Sequence, residues 1–387
     1  MPRPIRALID RAAMSHNLGR VFDLLRQSAS ESALTPKVWA VIKADAYGHG
    51  IEAAVDAFGQ ADGLAMLDFA EAVRCRNAGW TKPILMLEGV FDKEDLEACV
   101  ELNLWPVVHE AGQIALLQNA AIRRAIHVYL KLDTGMHRLG FEPQAYGQAY
   151  AAMARLQSQG KVSGISHMTH FACADESDGI RAPLKVFRET VSDRPGDRCV
   201  ANSAAILRHT REILNRDLLN GDFDSDNASD KSYGRWVRPG ICLYGASPLS
   251  DLPAHQMGFR ASMTLASQVL SVRQVKAGEG IGYSYLYRAP RDMRVAVVAC
   301  GYADGYPRHA PSGTPIVVNG QLASLAGRVS MDMLTVDVSG LSRVDVGDPV
   351  ILWGEGGPSI DEVAHASGTI GYELLTAVTP RVRRLFV

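Results

Sequence analysis

Apolar runs and amphipathic stretches alternate along the first two thirds of the chain. Eight short runs rich in β-branched and other apolar residues recur between residues 37 and 245, and their composition predicts buried β-strands. Between most of these runs, apolar residues recur at helical spacing, as in FAEAVRCRNAG and KEDLEACVELN. Strands that alternate with helices imply parallel β-α-β units, and eight such units close into a (β/α)8 barrel. The eight runs are KVWAVIKAD (37–45), GLAMLD (63–68), PILMLEG (83–89), LWPVVH (104–109), IHVYLKLD (126–133), VSGISHMTHF (162–171), DRCVANS (197–203) and WVRPGICLY (236–244).

The pattern changes after about residue 258. Short apolar runs such as RVAVVACGYA, TPIVVNGQLAS and DPVILWG are now separated by Gly, Pro and Asp turns, with little helical periodicity between them. This pattern predicts a second, all-β domain. We therefore expect an α/β chain of two domains, a barrel over residues 1–258 followed by a mostly-β domain over residues 259–387.

Composition and charge narrow the class of protein. Apolar residues make up 47% of the 387 residues and charged residues 21%, which excludes disordered and fibrous proteins. The 40 Lys and Arg residues nearly balance 42 Asp and Glu residues, so nothing favours nucleic acid or an anionic membrane as a partner. No apolar run approaches the roughly 18 residues of a membrane helix, and Asp10 interrupts the place where an export signal is apolar. We expect a soluble, cytoplasmic protein.

One acidic segment, residues 215–235, interrupts the alternation between the last two barrel strands. Asp222, Asp224 and Asp226 have the alternate spacing of a calcium loop, but Asn227 and Tyr233 stand where that loop needs Gly and Glu. The six cysteines are scattered singly, without the paired spacing of a zinc site. The segment is best interpreted as a solvated surface excursion, and no metal site is expected.

Polar side chains stand at the carboxyl ends of several predicted barrel strands, where barrels build their active sites. Lys43 is the clearest case, because it emerges from an apolar strand and is followed closely by Tyr47 and Gly48. A partly desolvated lysine has a lowered pKa and can bind a carbonyl compound covalently, whereas the alternative is a lysine that extends to solvent. The other strand-end residues are Lys131, His170, Asn202, Ser203 and Arg238.

The segment VIKADAYGHG (41–50) resembles the cofactor-lysine motif of the alanine racemase family, and further blocks resemble that family in order along nearly the whole chain. The resemblance implies a barrel followed by a β domain, the cofactor pyridoxal 5'-phosphate, and racemisation of alanine as substrate. It also implies a homodimer with shared active sites and a supply of D-alanine for peptidoglycan. The further blocks are KLDTGMHRLGF, MTHFACADE, ANSAA, VRPGICLYG, GIGYS, GYADGYPR, GRVSMD, GYE and TPRV.

The resemblance assigns two catalytic bases, Lys43 and Tyr283. Racemisation requires a proton to leave one face of the substrate Cα and another to arrive on the opposite face, so two acid–base groups are needed. A phenol, with its usual pKa of about 10, is a weak base at neutral pH. In the family, a histidine and an arginine that match His170 and Arg238 supply the positive charge that helps it.

The remaining roles also follow from the resemblance. Arg238 faces the pyridine nitrogen of the cofactor, and because a guanidinium has donors only, it weakens the ring as an electron sink and favours simple reprotonation. Lys131 matches a lysine that is often carbamylated in the family, although an unmodified lysine is the alternative. The phosphate is held by Tyr47, Ser203, the backbone amides of Gly240 and Ile241, and Tyr372. Substrate contacts come from Arg138, Met331, Asp332 and Tyr302.

The homodimer implied by the resemblance has a specific geometry. In the family, Tyr283, Tyr302, Met331 and Asp332 reach the barrel of the other subunit, so the β domain supplies the second base in trans. Three alternatives remain open. The chain could be a racemase of broader specificity for serine or other amino acids, a non-catalytic pyridoxal-phosphate-binding protein, or a decarboxylase of related fold.

Overall fold

The computed structural model describes residues 3–28, 35–214 and 234–387. Its strands are β1 (Arg6–Ile9), β2 (Lys37–Val41), β3 (Gly63–Met66), β4 (Ile84–Met86), β5 (Leu104–Val108), β6 (Ile126–Lys131), β7 (Val162–Met168), β8 (Arg198–Ala201), β9 (Arg235–Val237), β10 (Met263–Val275), β11 (Gly280–Ile281), β12 (Tyr287–Arg288), β13 (Met293–Val298), β14 (Pro315–Val318), β15 (Gln321–Leu325), β16 (Leu334–Asp337), β17 (Pro349–Trp353) and β18 (Arg383–Phe386). Its helices are α1 (Arg11–Ser28), α2 (Lys43–Tyr47), α3 (Ile51–Ala57), α4 (Phe69–Asn77), α5 (Lys93–Glu101), α6 (Ala111–Asn119), α7 (Pro143–Ser158), α8 (Arg181–Val191), α9 (Ser203–Arg208), α10 (Thr210–Leu214), α11 (Ile360–Ala366) and α12 (Gly371–Ala377).

Strands β2 to β9 form a closed parallel barrel, which confirms the predicted α/β architecture. The ring closes where β2 pairs with β9, with Lys37 opposite Trp236. Trp39 of β2 stacks on Trp236 with ring centroids 4.2 Å apart, and Trp105 of β5 packs edge-on against Trp39. Such buried aromatic surface is among the largest contributions that side chains make to a core. The barrel interior is therefore filled with side chains at this level.

The second sheet is antiparallel apart from one pair of strands. Its order is β13-β16-β15-β14-β17-β10-β1-β18, and β13 also pairs with β10, so six of its strands close on themselves. β1 comes from the start of the chain and lies between β10 and β18, with Arg6 opposite both Ala266 and Arg383. Residues 6–9 thus belong to the sheet of the second domain, although we expected the whole of 1–258 in the barrel.

Two short helices also depart from the expected all-β pattern of the second domain. Ser359 caps α11, because its hydroxyl accepts the Glu362 N–H while the Glu362 carboxylate accepts from Ser359. α12 follows four residues later and brings Tyr372 towards the barrel, where its ring lies 6.0 Å from that of Tyr47. The second domain is mostly β, and of these two helices α12 is the one that brings a side chain to the barrel.

The second domain packs against the carboxyl ends of the barrel strands. Arg384 of β18 donates through Nε to the carbonyl oxygen of Gly48 at 2.7 Å. The buried ring of His49 lies 2.8 Å through Nε2 from the hydroxyl of Ser262, just before β10. These contacts attach the segment after Lys43 to the second domain.

In the described parts of the chain, no helix is both long and apolar enough to span a bilayer. The aspartates at 222, 224 and 226, considered above for calcium, lie outside the described residues.

Candidate active site

The short element α2, Lys43–Tyr47, begins two residues after β2 and is a left-handed turn. Ala44, Asp45, Ala46 and Tyr47 all have positive φ, between 51° and 56°. Left-handed backbone costs L-residues about 1–2 kcal/mol each, so surrounding contacts must hold this turn in place. The sequence had predicted only a strand end here. The turn brings both Lys43 and Tyr47 to the same cavity, four residues apart.

Contacts from α4 support the turn. The N–H of Asp45 donates to Oε1 of Glu71 at 2.6 Å, and Arg74 Nη1 donates to the Asp45 carboxylate at 3.0 Å. Gly48 ends the turn with a φ of 79°, and a Cβ there would lie 2.4 Å from the carbonyl oxygen of Leu375. The backbone after Lys43 is therefore fixed by close contacts from two sides.

The cavity has a volume of about 550 Å³ and opens at the carboxyl ends of the barrel strands. It brings together every residue that we expected to hold the cofactor. The lining consists of Val41, Lys43, Tyr47, Leu67, Leu87, Glu88, Lys131, Arg138, Leu139, Met168, His170, Asn202, Ser203, Arg238, Gly240, Ile241 and Tyr372.

The charges of the cavity are mostly positive, and they lower several pKa values. Burial, reinforced by Arg138, lowers the pKa of Lys43 below its ordinary 10.5. Burial and the charges of Arg238 and Arg138 lower the pKa of Lys131 to about 8. Burial and the same two arginines lower the pKa of His170 to about 2, so its ring is neutral. The neutral amine of Lys43 can accept a proton, as a base must, whereas an imidazole with so low a pKa stays uncharged near neutral pH. The expected positive charge of His170 is therefore absent here, and of that pair only Arg238 carries one.

Arg238 is buried and held rigidly. Its Nη1 donates to the carbonyl oxygen of Cys199 at 2.8 Å, and its Nη2 donates to the carbonyl oxygen of Thr169 at 2.7 Å. The same Nη2 lies 3.4 Å from Nδ1 of His170. A guanidinium fixed by two backbone carbonyls presents a permanent positive charge at a defined position in the cavity.

The end of the cavity that we expect to hold the phosphate carries groups that can donate hydrogen bonds to an anion. The N–H of Gly240 donates to the hydroxyl of Ser203 at 2.8 Å, and a Cβ at Gly240 would lie 2.6 Å from the hydroxyl of Tyr47. Glycine at 240 therefore lets its own backbone, the Ser203 hydroxyl and the Tyr47 phenol approach one small space, with the Gly240 N–H bonded to Ser203. Burial raises the pKa of both Tyr47 and Tyr372, so the two phenols remain protonated donors. The residues present fit pyridoxal phosphate.

Two acidic residues at the site were not identified from the sequence. Among the described residues that line the cavity, Glu88 is the only carboxylate, and its charge opposes the lowering of the pKa of Lys43 and Lys131. Asp133 accepts the N–H groups of residues 135 to 137 at 2.9 to 3.2 Å, which shapes the loop that leads to Arg138. Glu88 follows β4, so the rule that singled out Lys43 would also have found it.

Four residues that we expected at the active site lie outside this cavity. Within residues 3–28, 35–214 and 234–387, the lining of this cavity includes none of Tyr283, Tyr302, Met331 and Asp332. Tyr283 is 68% exposed and Met331 52% exposed, on the second domain. Ser284, which follows Tyr283, has a φ of 61°, so the exposed loop makes a left-handed turn at a residue that is not glycine.

The barrel, its strand-end lysine and the anion-binding cavity define a pyridoxal-phosphate-dependent enzyme that carries a β domain after a (β/α)8 barrel. Comparison with protein families gives the particular group. The model "Alanine racemase, N-terminal domain" matches residues 9–248, and "Alanine racemase, C-terminal domain" matches residues 262–386. The chain belongs to the alanine racemase family.

Individual alanine racemases are similar to this chain over nearly its full length. Alanine racemase of Bordetella petrii is 51% identical over 384 residues, which are 99% of this chain and 98% of that protein. Alanine racemase of Bordetella avium is 49% identical over 383 residues, with the same coverage. The crystal structure of biosynthetic alanine racemase from Pseudomonas aeruginosa has a TM-score of 0.88 at 41% identity, covering 100% of this chain and 99% of that one.

Proposed function

We propose that this chain interconverts L-alanine and D-alanine with bound pyridoxal phosphate, using Lys43 and Tyr283 as its two bases. The observation that carries the proposal is the cavity around Lys43. It places an amine of lowered pKa, a rigid guanidinium and an anion-binding end within one space at the carboxyl ends of the barrel strands. Membership of the alanine racemase family gives the substrate.

The cofactor would be held from three directions. Lys43 would bind it covalently, Ser203 and Tyr47 would donate to its phosphate, and Arg238 would face its ring. When bound, pyridoxal phosphate supplies an electron sink for the charge left when a proton leaves the substrate Cα.

Arg238 favours racemisation over other outcomes. Its nitrogens carry donors only, so it offers no proton acceptor to the ring and leaves the ring a weak sink. The charge at Cα would then be neutralised by a proton from the protonated form of Lys43 or from the phenol of Tyr283. This argues against the decarboxylase alternative, in which an acid would be expected at that position.

Lys43 serves the first face of Cα. Its lowered pKa increases the fraction of neutral amine at physiological pH, and the left-handed turn fixes the backbone from which the side chain reaches the cavity. Arg138 lines the same cavity, where its guanidinium would bind the substrate carboxylate.

Tyr283 serves the opposite face from a second subunit. Its exposure, and that of Met331, is what a residue that completes the partner's site requires, because such a side chain is uncovered in one chain considered alone. The proposal therefore includes a homodimer in which the β domain of each chain, residues 259–387, supplies Tyr283, Tyr302, Met331 and Asp332 to the other chain's barrel. A cytoplasmic location and a role in D-alanine supply for peptidoglycan rest on the family alone.

Racemase assays on the purified protein with pyridoxal phosphate test the substrate. We expect turnover of L-alanine and D-alanine well above that of serine and arginine, and no carbon dioxide from lysine or ornithine. Comparable rates on serine would favour the broader racemase. Cofactor binding without any turnover would favour the non-catalytic protein. Lys43→Ala is the inactive control.

Mixed dimers test the shared site. Lys43→Ala chains carry an intact Tyr283, and Tyr283→Phe chains carry an intact Lys43, so a mixed dimer with sites in trans has one complete site. Random mixing should restore up to about a quarter of the wild-type activity, since about half of the dimers are mixed and each has one working site. Sites built within one chain would show no recovery.

A further inference from the structure

Two loops of the second domain, residues 301–305 and 330–332, are hydrogen-bonded to each other, and we call them the paired loops. The N–H groups of Tyr302 and Ala303 donate to carbonyl oxygens of the second loop at 3.1 and 3.0 Å. Any displacement of one loop therefore displaces the other. The paired loops carry three of the residues assigned above to the substrate.

A buried carboxylate lies at the base of the first loop. The side chain of Asp304 has no exposed surface. It accepts from Arg3 Nη1 at 2.7 Å and from the N–H of Gly301 at 3.0 Å, and it lies 2.9 Å from Arg381 Nε. A buried carboxylate is costly unless charges and donors compensate it, and two guanidinium groups do so here.

Both arginines also contact the second loop. Arg3 Nη2 donates to the backbone carbonyl oxygen of Asp332, and Arg381 Nη2 lies 2.6 Å from the Asp332 carboxylate. Each guanidinium thus bridges the two loops, using the several donors that a planar fork provides. Two arginines and two aspartates make the cluster neutral.

The sheet explains why these residues meet. Arg3 precedes β1 and Arg381 precedes β18, and these strands are parallel neighbours with Arg6 opposite Arg383. Both arginines therefore leave the same end of the sheet, beside the paired loops. A contact between residues 3 and 304 cannot be expected from local sequence.

We propose that Arg3, Asp304 and Arg381 are positioning residues, which hold Tyr302 and Met331 where they meet the substrate and so set substrate affinity. This inference rests on the proposed function, which places those two residues at the partner's site. Within the described residues, none of the three positioning residues lines the cofactor cavity. Their loss should therefore leave cofactor binding intact.

Arg3→Gln tests the proposal in the full-length enzyme with cofactor. Arg3 is 35% exposed, so this change is milder than removal of Asp304, which would leave two arginines beside a buried neutral group. The matched control is Arg6→Gln, an exposed arginine of β1. Three quantities are measured: KM and kcat for both alanine enantiomers, the dissociation constant of pyridoxal phosphate by absorbance titration, and amide hydrogen exchange at Tyr302 and Ala303.

We expect Arg3→Gln to raise KM about tenfold or more for both enantiomers, because loops that carry substrate contacts lose their fixed position. The cofactor dissociation constant should stay unchanged, and Tyr302 and Ala303 should exchange faster. Arg3→Lys should fall between wild type and Arg3→Gln, since an ammonium keeps the charge but cannot bridge both loops as a fork does. Arg6→Gln should match wild type.

Two results would overturn the proposal. One is a KM equal to that of Arg6→Gln with unchanged amide exchange, and the other is a loss of cofactor affinity in proportion to the rise in KM. If wild type does not turn over alanine, the proposed function itself fails. Amide exchange then decides alone: unchanged protection in Arg3→Gln overturns the positioning role, and faster exchange supports it.

Discussion

Lys131 should react reversibly with carbon dioxide to form a carbamate. Only a neutral amine reacts in this way, and the surroundings of Lys131 lower its pKa from 10.5 to about 8. At about pH 7.5, roughly a quarter of such amines are neutral, against about one in a thousand for an ordinary lysine. The environment thus raises the reactive fraction by roughly two hundredfold.

The surroundings of Lys131 also stabilise the carbamate product. Burial is the largest cause of the lowered pKa of Lys131, and the charges of Arg238 and Arg138 add to it by repelling the ammonium form. A carbamate carries a negative charge, so the same two guanidinium groups would attract it. Exchange of a cation for an anion at this place turns two repulsive interactions into attractive ones.

Carbon-13 NMR with labelled bicarbonate measures this reaction. We expect a carbamate signal in the wild type that is lost in Lys131→Gln and retained in Lys276→Gln, which changes an exposed lysine paired with Asp292. Absence of the signal in wild type at saturating carbon dioxide between about pH 7.5 and 9 would refute the reasoning.

The same pKa has a consequence for stability in carbon-dioxide-free buffer. The unfolded chain keeps the Lys131 proton up to about pH 10.5, whereas the folded protein releases it near 8. The unfolded state therefore binds more protons in this window, so the free energy of unfolding rises with pH, by about 3 kcal/mol in all. Denaturant unfolding at pH 8 and 10 should show about 2 kcal/mol of this rise in wild type, and Lys131→Met should lack this contribution.

Two glycine substitutions test the geometry of the cavity and of the turn after Lys43. Gly240→Ala would place a Cβ 2.6 Å from the Tyr47 hydroxyl, so we expect at least a tenfold loss of pyridoxal-phosphate affinity with little loss of stability, measured by absorbance titration and thermal unfolding. Gly19→Ala in α1, where a Cβ would have no neighbour within 4 Å, is the control, and equal affinities in the two variants would contradict the assigned phosphate end. Gly48 and Gly160 both have a positive φ, so alanine strains the backbone at either position. A Cβ at residue 48 would also lie 2.4 Å from the carbonyl oxygen of Leu375, whereas a Cβ at residue 160 would have no neighbour within 4 Å. Denaturant unfolding should give a loss of about 1 kcal/mol for Gly160→Ala and at least about 2 kcal/mol more for Gly48→Ala, and equal losses would mean that the contact with α12 is unimportant.

The barrel could be predicted from the sequence because each strand is a continuous apolar run bounded by polar residues. A strand in a parallel sheet covered by helices is buried on both faces, so its sequence is apolar at nearly every position. β1 could not be predicted in the same way. It is a four-residue strand, RALI, whose partners lie at residues 263–266 and 383–386, so its place depends on pairings far away in the sequence.

The turn after Lys43 was also beyond local inference. Four consecutive residues with positive φ contradict local preference, and distant groups such as Glu71, Arg74 and Arg384 hold them there. The same holds for α11 and α12, which are only seven residues each and too short for a clear helical period.

The candidate site was predictable where its polar residues lie at the carboxyl ends of barrel strands. Lys43, Lys131, His170 and Arg238 were found by that rule and do share one cavity. Tyr283 follows no barrel strand, and only family resemblance pointed to it. Its role remains a prediction, because a single chain leaves it exposed.

Exchange of the Cα proton in heavy water, followed by NMR with L-alanine and D-alanine, tests the two-base proposal most directly. Wild type and Tyr283→Phe are compared, each with pyridoxal phosphate bound. We expect wild type to exchange and racemise both enantiomers, while Tyr283→Phe loses most of its turnover of L-alanine. Wild type that binds the cofactor but exchanges no Cα proton would contradict the proposed function, and undiminished turnover in Tyr283→Phe would remove Tyr283 from the mechanism.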